Sequence, residues 1–358
     1  MRLANRLLMM GAAGVAATGA AAGIGLALAS RQIWRTFRYA DLEGKVVLIT
    51  GGTRGLGLAM AREFARNRAN LVVCARDEQE VQRAADSLRQ LGVRVLALQC
   101  DVSNQQQVQD MVERAIDEME GIDILVNNAG QISVGPFESQ TLDDFREAMD
   151  VMFWAHVYSV LAVVPHMIRR GSGSIANITS IGGKIAVPHL LPYDCAKFAA
   201  VGFSEGLTAE LARYGVRVTT VVPGLMRTGS HLNASFKGNH AAEFSWFSLG
   251  ATLPLVSISA ERAARSIVNA IRRGSPEVVL SLPAKLAVGF HGVMPGTTAK
   301  ILGVTNRVLP GTGSTNREKR VGSEIESPVK NSVFTKLGRD AAKKFNQNIP
   351  AGPEQRPA

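Results

Sequence analysis

The stretch "KVVLITGGTRGLGLAMAREFAR", residues 45–66, decides the fold. Its first six residues form a β-branched apolar run typical of a buried strand, and its last nine form a helix-period segment. Between them, Gly51, Gly55 and Gly57 let the backbone turn tightly and approach a bound group closely. Because the N-terminus of a helix favours negative charge, this strand, turn and helix predict a pyrophosphate site.

Six further strand-like runs follow, separated by helix-period segments. The seven predicted strands span residues 45–50, 70–75, 94–99, 122–127, 174–179, 216–223 and 277–282. Strands that alternate with helices form a parallel sheet covered on both faces. The sequence therefore predicts an α/β fold, a Rossmann-type doubly wound parallel seven-stranded sheet, in a single domain over residues 43–309.

A second stretch, "TSIGGKIAVPHLLPYDCAK" (residues 179–197), places three side chains suited to proton transfer after the fifth predicted strand. Tyr193 and Lys197 are four residues apart, so they share a helix face. The ordinary pKa of tyrosine is about 10, and a neighbouring ammonium lowers that value. Ser180 can hold an oxygen that Tyr193 protonates. We expect these residues to act together on a carbonyl oxygen that gains negative charge.

These stretches occur in family order with "NNAG" at 127–130 and "PG" at 223–224. In this respect the chain resembles the short-chain dehydrogenases/reductases over residues 43–285. The resemblance implies a nicotinamide cofactor, and it implies that Ser180, Tyr193 and Lys197 are catalytic.

The same resemblance implies a set of cofactor-binding residues. The set is Gly51, Thr53, Arg54, Gly55, Leu56, Gly57, Arg76, Asp101, Val102, Asn128, Tyr193, Lys197, Pro223, Gly224 and Thr228. In the family pattern, Asp101 and Val102 flank the adenine, and Thr228 reaches the nicotinamide amide or a phosphate. Asn127 braces the sheet beside the cofactor.

The end of the second predicted strand indicates which nicotinamide cofactor is preferred. Folds that prefer NAD place an acidic residue there to hold the ribose hydroxyls. This sequence has Ala75 followed by Arg76, and Arg54 lies in the glycine loop. Because guanidinium groups suit a 2′-phosphate, we expect NADP(H) to be preferred over NAD(H).

One position departs from the family pattern. The family carries an asparagine on the helix before the serine, where it helps to hold a water that connects the lysine to solvent. Here "DVMFWAHV" puts Met152 at that place, and a thioether is a weak acceptor that cannot donate. His156, one turn on, is either an ordinary helix residue or a substitute from the same face. The departure concerns proton supply rather than cofactor binding.

The N-terminal residues 1–30 contain an uncharged run of 23 residues, Leu7–Ala29. As a helix this run is about 35 Å long, enough to cross a bilayer core. We expect a single-pass membrane anchor, although "ALA" before Ser30 also fits a signal-peptide cleavage site. Three arginines after the run, against two before it, favour a cytoplasmic catalytic domain, with residues 31–42 as a juxtamembrane linker.

Residues 310–358 have the composition of a polar tail. Within it, apolar residues recur every four positions among lysines and arginines, which suggests a short basic amphipathic helix. Those apolar residues are Val329, Val333, Leu337, Ala341 and Phe345. Such a segment could lie on anionic lipid, dock on a partner, or remain a solvated tail.

Charge and cysteine content narrow the possible partners. The net charge is +10, but nine basic and five acidic residues of the chain lie in 311–358, outside any nucleic-acid motif. We therefore expect no nucleic-acid partner. The three cysteines are widely spaced and do not cluster with histidines, so we expect no metal site.

The segment after Gly224 is expected to form a variable lid over the site. Its Leu, Phe and Trp content, with a further apolar stretch near residues 282–309, suggests a lipophilic carbonyl or alcohol as substrate. A 3-oxoacyl-thioester reductase is an alternative activity. A nucleotide-binding scaffold with weak catalysis is a second alternative, which Met152 keeps open. A homodimer or tetramer is expected.

Overall fold

Strand β1 (Val46–Thr50) lies inside the central sheet, and all five of its side chains are buried. The computed structural model describes residues 39–254, 256–311, 316–330, 332 and 335–347. The predicted anchor over residues 1–30 lies outside the described residues. Within the described residues, the chain from Leu42 onward groups into one compact unit.

The central sheet of the described chain has seven strands, all parallel, which confirms the predicted fold class. After β1 the strands are β2 (Asn70–Ala75), β3 (Val95–Gln99), β4 (Ile124–Asn127), β5 (Gly173–Ile178), β6 (Val216–Val222) and β7 (Glu277–Val279). Their order across the sheet is β7-β6-β5-β4-β1-β2-β3. Because consecutive strands are parallel, the ends of β1, β4 and β5 meet at one edge of the sheet.

Helices cover both faces of the sheet. The helices of the described chain are α1 (Gly55–Arg66), α2 (Glu78–Arg89), α3 (Gln105–Met119), α4 (Leu142–Met149), α5 (Ala155–Arg170), α6 (Leu191–Leu211), α7 (His240–Thr252), α8 (Ala260–Arg273), α9 (Leu282–Val293), α10 (Pro295–Asn306) and α11 (Lys336–Lys344). One apolar cluster includes Phe64 of α1 and Ile267 of α8. A second cluster includes Val112 of α3 and Val163 of α5. The sheet is therefore doubly wound, as predicted.

The helices α4 and α5 join through a π-helical turn, Asp150–Trp154, into one apolar stretch. Among the described residues this stretch, Leu142–Arg170, is the one helix long and apolar enough to cross a membrane by length and composition. Its buried residues include Met152, Val163 and Met167, which pack into the domain interior. We therefore regard it as a core helix of the domain.

The described part of the predicted tail packs on the domain. A short strand, Arg320–Val321, pairs antiparallel with Ser235–Phe236. Further on, Phe345 directly follows α11 and is 2% exposed, in the same apolar cluster as Phe64. The Arg62 guanidinium of α1 donates to the Lys344 carbonyl at 2.9 Å. The sequence periodicity that suggested a basic amphipathic helix thus coincides with a helix whose end enters the core.

If residues 336–345 are part of the folded domain, Phe345→Ala should lower the free energy of unfolding by about 3–5 kcal/mol, because it empties a buried aromatic site. Leu337→Ala on the same segment is the control. Leu337 is 46% exposed, so its loss should change the free energy by less than about 0.5 kcal/mol. Urea unfolding of the full chain in detergent measures both. Equal, small effects would show that the segment is not packed as described.

Candidate active site

The glycine loop is held in place by its own close packing and by Asn128. Gly51 and Gly55 have φ of +62° and +55°, a conformation that favours glycine. A methyl group on Gly57 would overlap the Gly51 carbonyl oxygen. The Asn128 amide donates to the carbonyls of Thr50 and Gly51 at 2.9 and 3.0 Å. Asn128, which the resemblance assigns to the cofactor, here braces the loop.

A buried chain of hydrogen bonds ties the sheet to α6. Asn127 donates to the Asn177 side-chain oxygen at 2.9 Å. Asn177 donates to the Ser204 hydroxyl at 3.0 Å, and the Thr220 hydroxyl donates to the same oxygen at 2.7 Å. These residues lie on β4, β5, α6 and β6, so the network fixes α6 against the sheet. Asn127 therefore braces the sheet.

The chain's own C-terminal segment contacts the glycine loop. The Gly55 N–H donates to the Phe345 carbonyl at 2.9 Å, and the Asn346 amide donates to the Thr53 carbonyl at 3.2 Å. The first N–H groups of a helix have no partner within it, so this contact caps α1. A pyrophosphate that used the Gly55 N–H would have to replace a carbonyl of the same chain. Sequence reasoning missed this contact, because more than 280 residues separate the partners.

The two arginines predicted to select the cofactor have different surroundings. Arg76 is exposed, directly after β2. The Arg54 guanidinium lies 3.5 Å from the Glu80 carboxylate, which also accepts a hydrogen bond from the Thr53 hydroxyl. Glu80 lies in the first turn of α2, beyond the position at the end of β2 where an acidic residue favours NAD, so the sequence pattern does not reveal it. The carboxylate offsets part of the charge of Arg54.

The residues predicted to flank the adenine lie beyond the end of β3. The Asp101 carboxylate accepts from the N–H and the hydroxyl of Ser103 at 3.0 and 2.7 Å, and Val102 is buried. The remaining predicted contacts follow β6. The Pro223 carbonyl accepts from the Ile181 N–H at 2.8 Å, and Thr228 is buried.

Gly224 is packed closely against the start of α9. A methyl group there would lie 3.0 Å from the Ser281 hydroxyl and 3.1 Å from the Ala284 side chain. Leu56, also in the predicted cofactor set, is buried in the first turn of α1. The glycine loop and the segment after β6 thus meet at one side of the sheet edge, where Thr228 lies beside Gly55.

The three predicted catalytic residues come together beside β5. The Ser180 hydroxyl accepts from the Gly182 N–H at 3.0 Å and is hydrogen-bonded to the Tyr193 phenol. The Lys197 ammonium lies 5.8 Å from the centre of the Tyr193 ring and donates to the Ile178 carbonyl at 2.9 Å. Tyr193 and Lys197 share a face of α6, as their spacing predicts.

The pKa of Tyr193 differs from the sequence expectation. Burial raises it to about 12, while the hydrogen bond to Ser180 lowers it and the charge of Asp194 raises it further. Burial also lowers the pKa of Lys197 to about 8. The expectation of a lowered tyrosine pKa was wrong for this state, because it counted the ammonium and ignored the loss of water around the phenol.

Asp194 is a buried carboxyl group that sequence reasoning missed. Burial raises its pKa to about 8, and the Val187 N–H donates to it at 2.7 Å. It holds the loop before α6 and influences the neighbouring Tyr193. Nothing in the local sequence distinguishes this aspartate from a solvated one, since burial depends on how α6 meets Gly182.

Met152 occupies the position next to the lysine. A Cβ atom on Gly130 would lie 3.7 Å from the Met152 sulfur and 3.8 Å from the Lys197 ammonium, so both side chains converge on one point. His156 is buried, and neither ring nitrogen has a hydrogen-bond partner among the described residues. Burial lowers the pKa of His156 to about 3, and the charge of Lys197 adds to this. His156 is therefore neutral at physiological pH.

Comparisons with known proteins identify relatives of this chain. The family model described as short chain dehydrogenase matches residues 45–237. The chain is 32% identical to the Dehydrogenase/reductase SDR family protein 7-like of Drosophila melanogaster, over 76% of this chain and 85% of that protein. It is 34% identical to 17-beta-hydroxysteroid dehydrogenase 13 of Mus musculus, over 55% of this chain and 66% of that protein.

A solved structure gives the same result. L-sorbose reductase from Gluconobacter frateurii, complexed with NADPH and L-sorbose, is similar with a TM-score of 0.61 and 28% identity. The match covers 67% of this chain and 97% of that structure. Fold, motif order and relatives agree, and the chain belongs to the short-chain dehydrogenase family of oxidoreductases.

Proposed function

We propose that this protein is an NADP(H)-dependent oxidoreductase that transfers a hydride between nicotinamide and a carbonyl or alcohol of a lipophilic substrate. The observation that carries the proposal is the convergence of the buried Ser180 and Lys197 with the partly buried Tyr193, at the sheet edge where the glycine loop lies. The group supplies a proton donor, a second hydrogen bond and a cation.

Each of these side chains has a role in reducing a carbonyl. Tyr193, with a pKa of about 12, is protonated at neutral pH and can donate to the substrate oxygen. Ser180 holds that oxygen by a second hydrogen bond. Lys197, with a pKa of about 8, is mainly protonated at pH 7, and its charge stabilises the phenolate that proton transfer creates. When bound, the nicotinamide supplies or accepts the hydride.

The residues of the glycine loop suit a dinucleotide. Gly51 and Gly57 let the chain turn tightly from β1 into the N-terminus of α1, and Thr228 and Lys197 lie at the same edge to hold the other half of the cofactor. Arg54 and the exposed Arg76 support a preference for a 2′-phosphate, although Glu80 offsets part of the Arg54 charge. L-sorbose reductase, a structural relative, was solved with NADPH.

Apolar side chains support a lipophilic substrate and a homo-oligomer. Leu225, Leu253 and Val256 in the lid region are exposed. Trp154 and Leu161 are exposed on the core helix, which suits contact between subunits in a dimer or tetramer. We further propose that residues 1–30 anchor the protein in a membrane and that residues 31–42 link this anchor to a cytoplasmic catalytic domain. The name of the 17-beta-hydroxysteroid relative is consistent with an apolar substrate.

Two alternative functions can be distinguished from this proposal by experiment. A 3-oxoacyl-thioester reductase would turn over carrier-linked acyl substrates rather than free ketones. A nucleotide-binding scaffold would bind NADPH without turnover. A screen of NADPH oxidation by the full chain in detergent, against steroidal, aliphatic and acyl-thioester carbonyls, separates the three.

Tyr193→Phe should lower the rate of carbonyl reduction by about 10²–10⁴-fold, because the ring remains but the proton donor is lost. NADPH binding, followed by its fluorescence, should be retained. Tyr214→Phe, a change at an exposed tyrosine, is the matched control and should leave the rate unchanged. A Tyr193→Phe variant as active as the unchanged protein would contradict the mechanism.

The unchanged protein should bind NADPH more tightly than NADH, and Arg54→Ala with Arg76→Ala should weaken NADPH binding by about tenfold or more, because each guanidinium can bond the 2′-phosphate. NADH affinity should hardly change. Glu80→Gln should strengthen NADPH binding, since it removes the charge beside Arg54. Arg213→Ala, at an exposed arginine, is the control. Equal affinity of the unchanged protein for both cofactors, measured by calorimetry, would contradict the proposed preference for NADP(H).

Met152→Asn should raise kcat severalfold, because an amide can both donate to and accept from a water beside Lys197. Met152→Leu, which keeps the size but adds no polar group, should not. The rate of each variant is measured over a range of pH and buffer concentration, with NADPH affinity as a check on folding. If Asn and Leu behave alike while the unchanged protein is active, another group already supplies the protons.

A further inference from the structure

Helices α9 and α10 pack against each other but bury few of their residues in the domain. Between residues 282 and 308, Ala284 and Thr298 are the buried positions. Large apolar side chains are exposed instead, with Val293 exposed by 82% and Val308 by 81%. The exposed set is Leu282, Leu286, Phe290, Val293, Met294, Ile301, Val304 and Val308. Residues 282–308 are called the apolar hairpin below.

The exposed side chains form a stripe on each helix. On α9 they recur at intervals of four, four and three residues, from Leu282 to Val293. From Ile301 to Val308 they recur at intervals of three and four. These spacings place each set on one helix face, but here that face is turned away from the core. Monomeric soluble proteins rarely expose large apolar patches, so this concentration of exposed apolar side chains indicates a partner.

The charges of the hairpin indicate what that partner is. Lys285, Lys300 and Arg307 are exposed, and the sequence has no acidic residue between Glu277 and Glu318. Two copies of the hairpin packed on each other would bring like charges together without a carboxylate to balance them. An apolar face rimmed by cations instead matches an anionic bilayer, in which long basic side chains reach the headgroups.

A cleft beside the hairpin has the same electrostatic character. It measures about 620 Å³ and is bordered by Leu282 and Lys285 of α9. Arg227, Arg262 and Arg273 also line it, together with several serine hydroxyls. Its one acidic residue, Glu277, is paired with Lys184 at 2.8 Å. Cations and hydroxyls around a cleft of this size suit a phosphate headgroup.

We propose that the apolar hairpin docks on the surface of an anionic phospholipid bilayer, with its apolar face in the boundary between headgroups and acyl chains. The contact is separate from the N-terminal anchor and goes beyond the proposed oxidoreductase activity. Val256 of the lid region lines the same cleft as Leu282, so docking would hold the lid close to the lipid. A lipophilic substrate could then reach the site from the bilayer.

The test places a reporter on the hairpin in the full chain, so that binding through the anchor does not confuse the result. Val293→Cys is labelled with an environment-sensitive fluorophore in a Cys195→Ser background, since Cys195 is the exposed cysteine among the described residues. Leu91→Cys carries the same label as a control. Leu91 is exposed beside β3, at the opposite edge of the sheet from β7, which α9 follows.

The protein is reconstituted in vesicles of phosphatidylcholine with or without phosphatidylglycerol. With phosphatidylglycerol, lipids brominated about 5–10 Å below the headgroups should quench the Val293 label, and aqueous iodide should quench it severalfold less than the Leu91 label. Lys285→Gln with Lys300→Gln should lower the partition of the hairpin into the bilayer by about fivefold for each cation removed. Lipid quenching of the Val293 label should fall accordingly. The double variant should fold normally by circular dichroism.

Three results would overturn the proposal. Equal iodide quenching of the two labels in anionic vesicles would show that the hairpin is in water. Equal lipid quenching in vesicles with and without phosphatidylglycerol would show that docking does not depend on anionic lipid. If the Val293 label is protected from iodide but not quenched by lipid, and if this protection increases with protein density, the apolar face contacts a second copy of the chain instead. NADPH binding measured on the same samples reports on the proposed function independently, since no residue changed here belongs to the catalytic or cofactor-binding group.

Discussion

The close approach of Gly57 to the carbonyl of Gly51 is the constraint on which the rest of the structure depends. A side chain at Gly57 would overlap that oxygen, so the short turn between β1 and α1 requires glycine there. Asn128 then closes the turn by donating to both Thr50 and Gly51. Because the neighbouring strands are parallel, the carboxyl ends of β1 to β6 reach the same edge, and the predicted site residues that directly follow these strands lie along it.

A second constraint positions the reactive side chains relative to this turn. The buried hydrogen bonds from Asn127 through Asn177 to Ser204 attach α6 to three strands. Each of these side chains is buried and hydrogen-bonded to the next, so a shift of α6 would break bonds that hold buried polar groups. This is the physical reason that Tyr193 and Lys197, both on α6, keep a fixed distance from Ser180 at the end of β5.

Features that depend on local residue spacing could be predicted from the sequence. Features that depend on contacts between distant parts of the chain could not. Strand and helix order, the glycine loop and the pairing of Tyr193 with Lys197 follow from periods of two and 3.6 residues and from glycine geometry. The contact of Phe345 with Gly55, the carboxylate of Glu80 beside Arg54, and the burial that raises the pKa of Tyr193 depend on which surfaces meet in the fold. No local pattern carries that information.

The central claim is that this site transfers a hydride directly between the nicotinamide and a carbonyl carbon. The most direct measurement uses NADPH deuterated on both positions of C4 and any carbonyl that the full chain reduces, with mass spectrometry of the alcohol. The account predicts one deuterium on the new carbinol carbon and a slower rate than with unlabelled NADPH. An alcohol that contains no deuterium, formed while the labelled cofactor is oxidised, would contradict it.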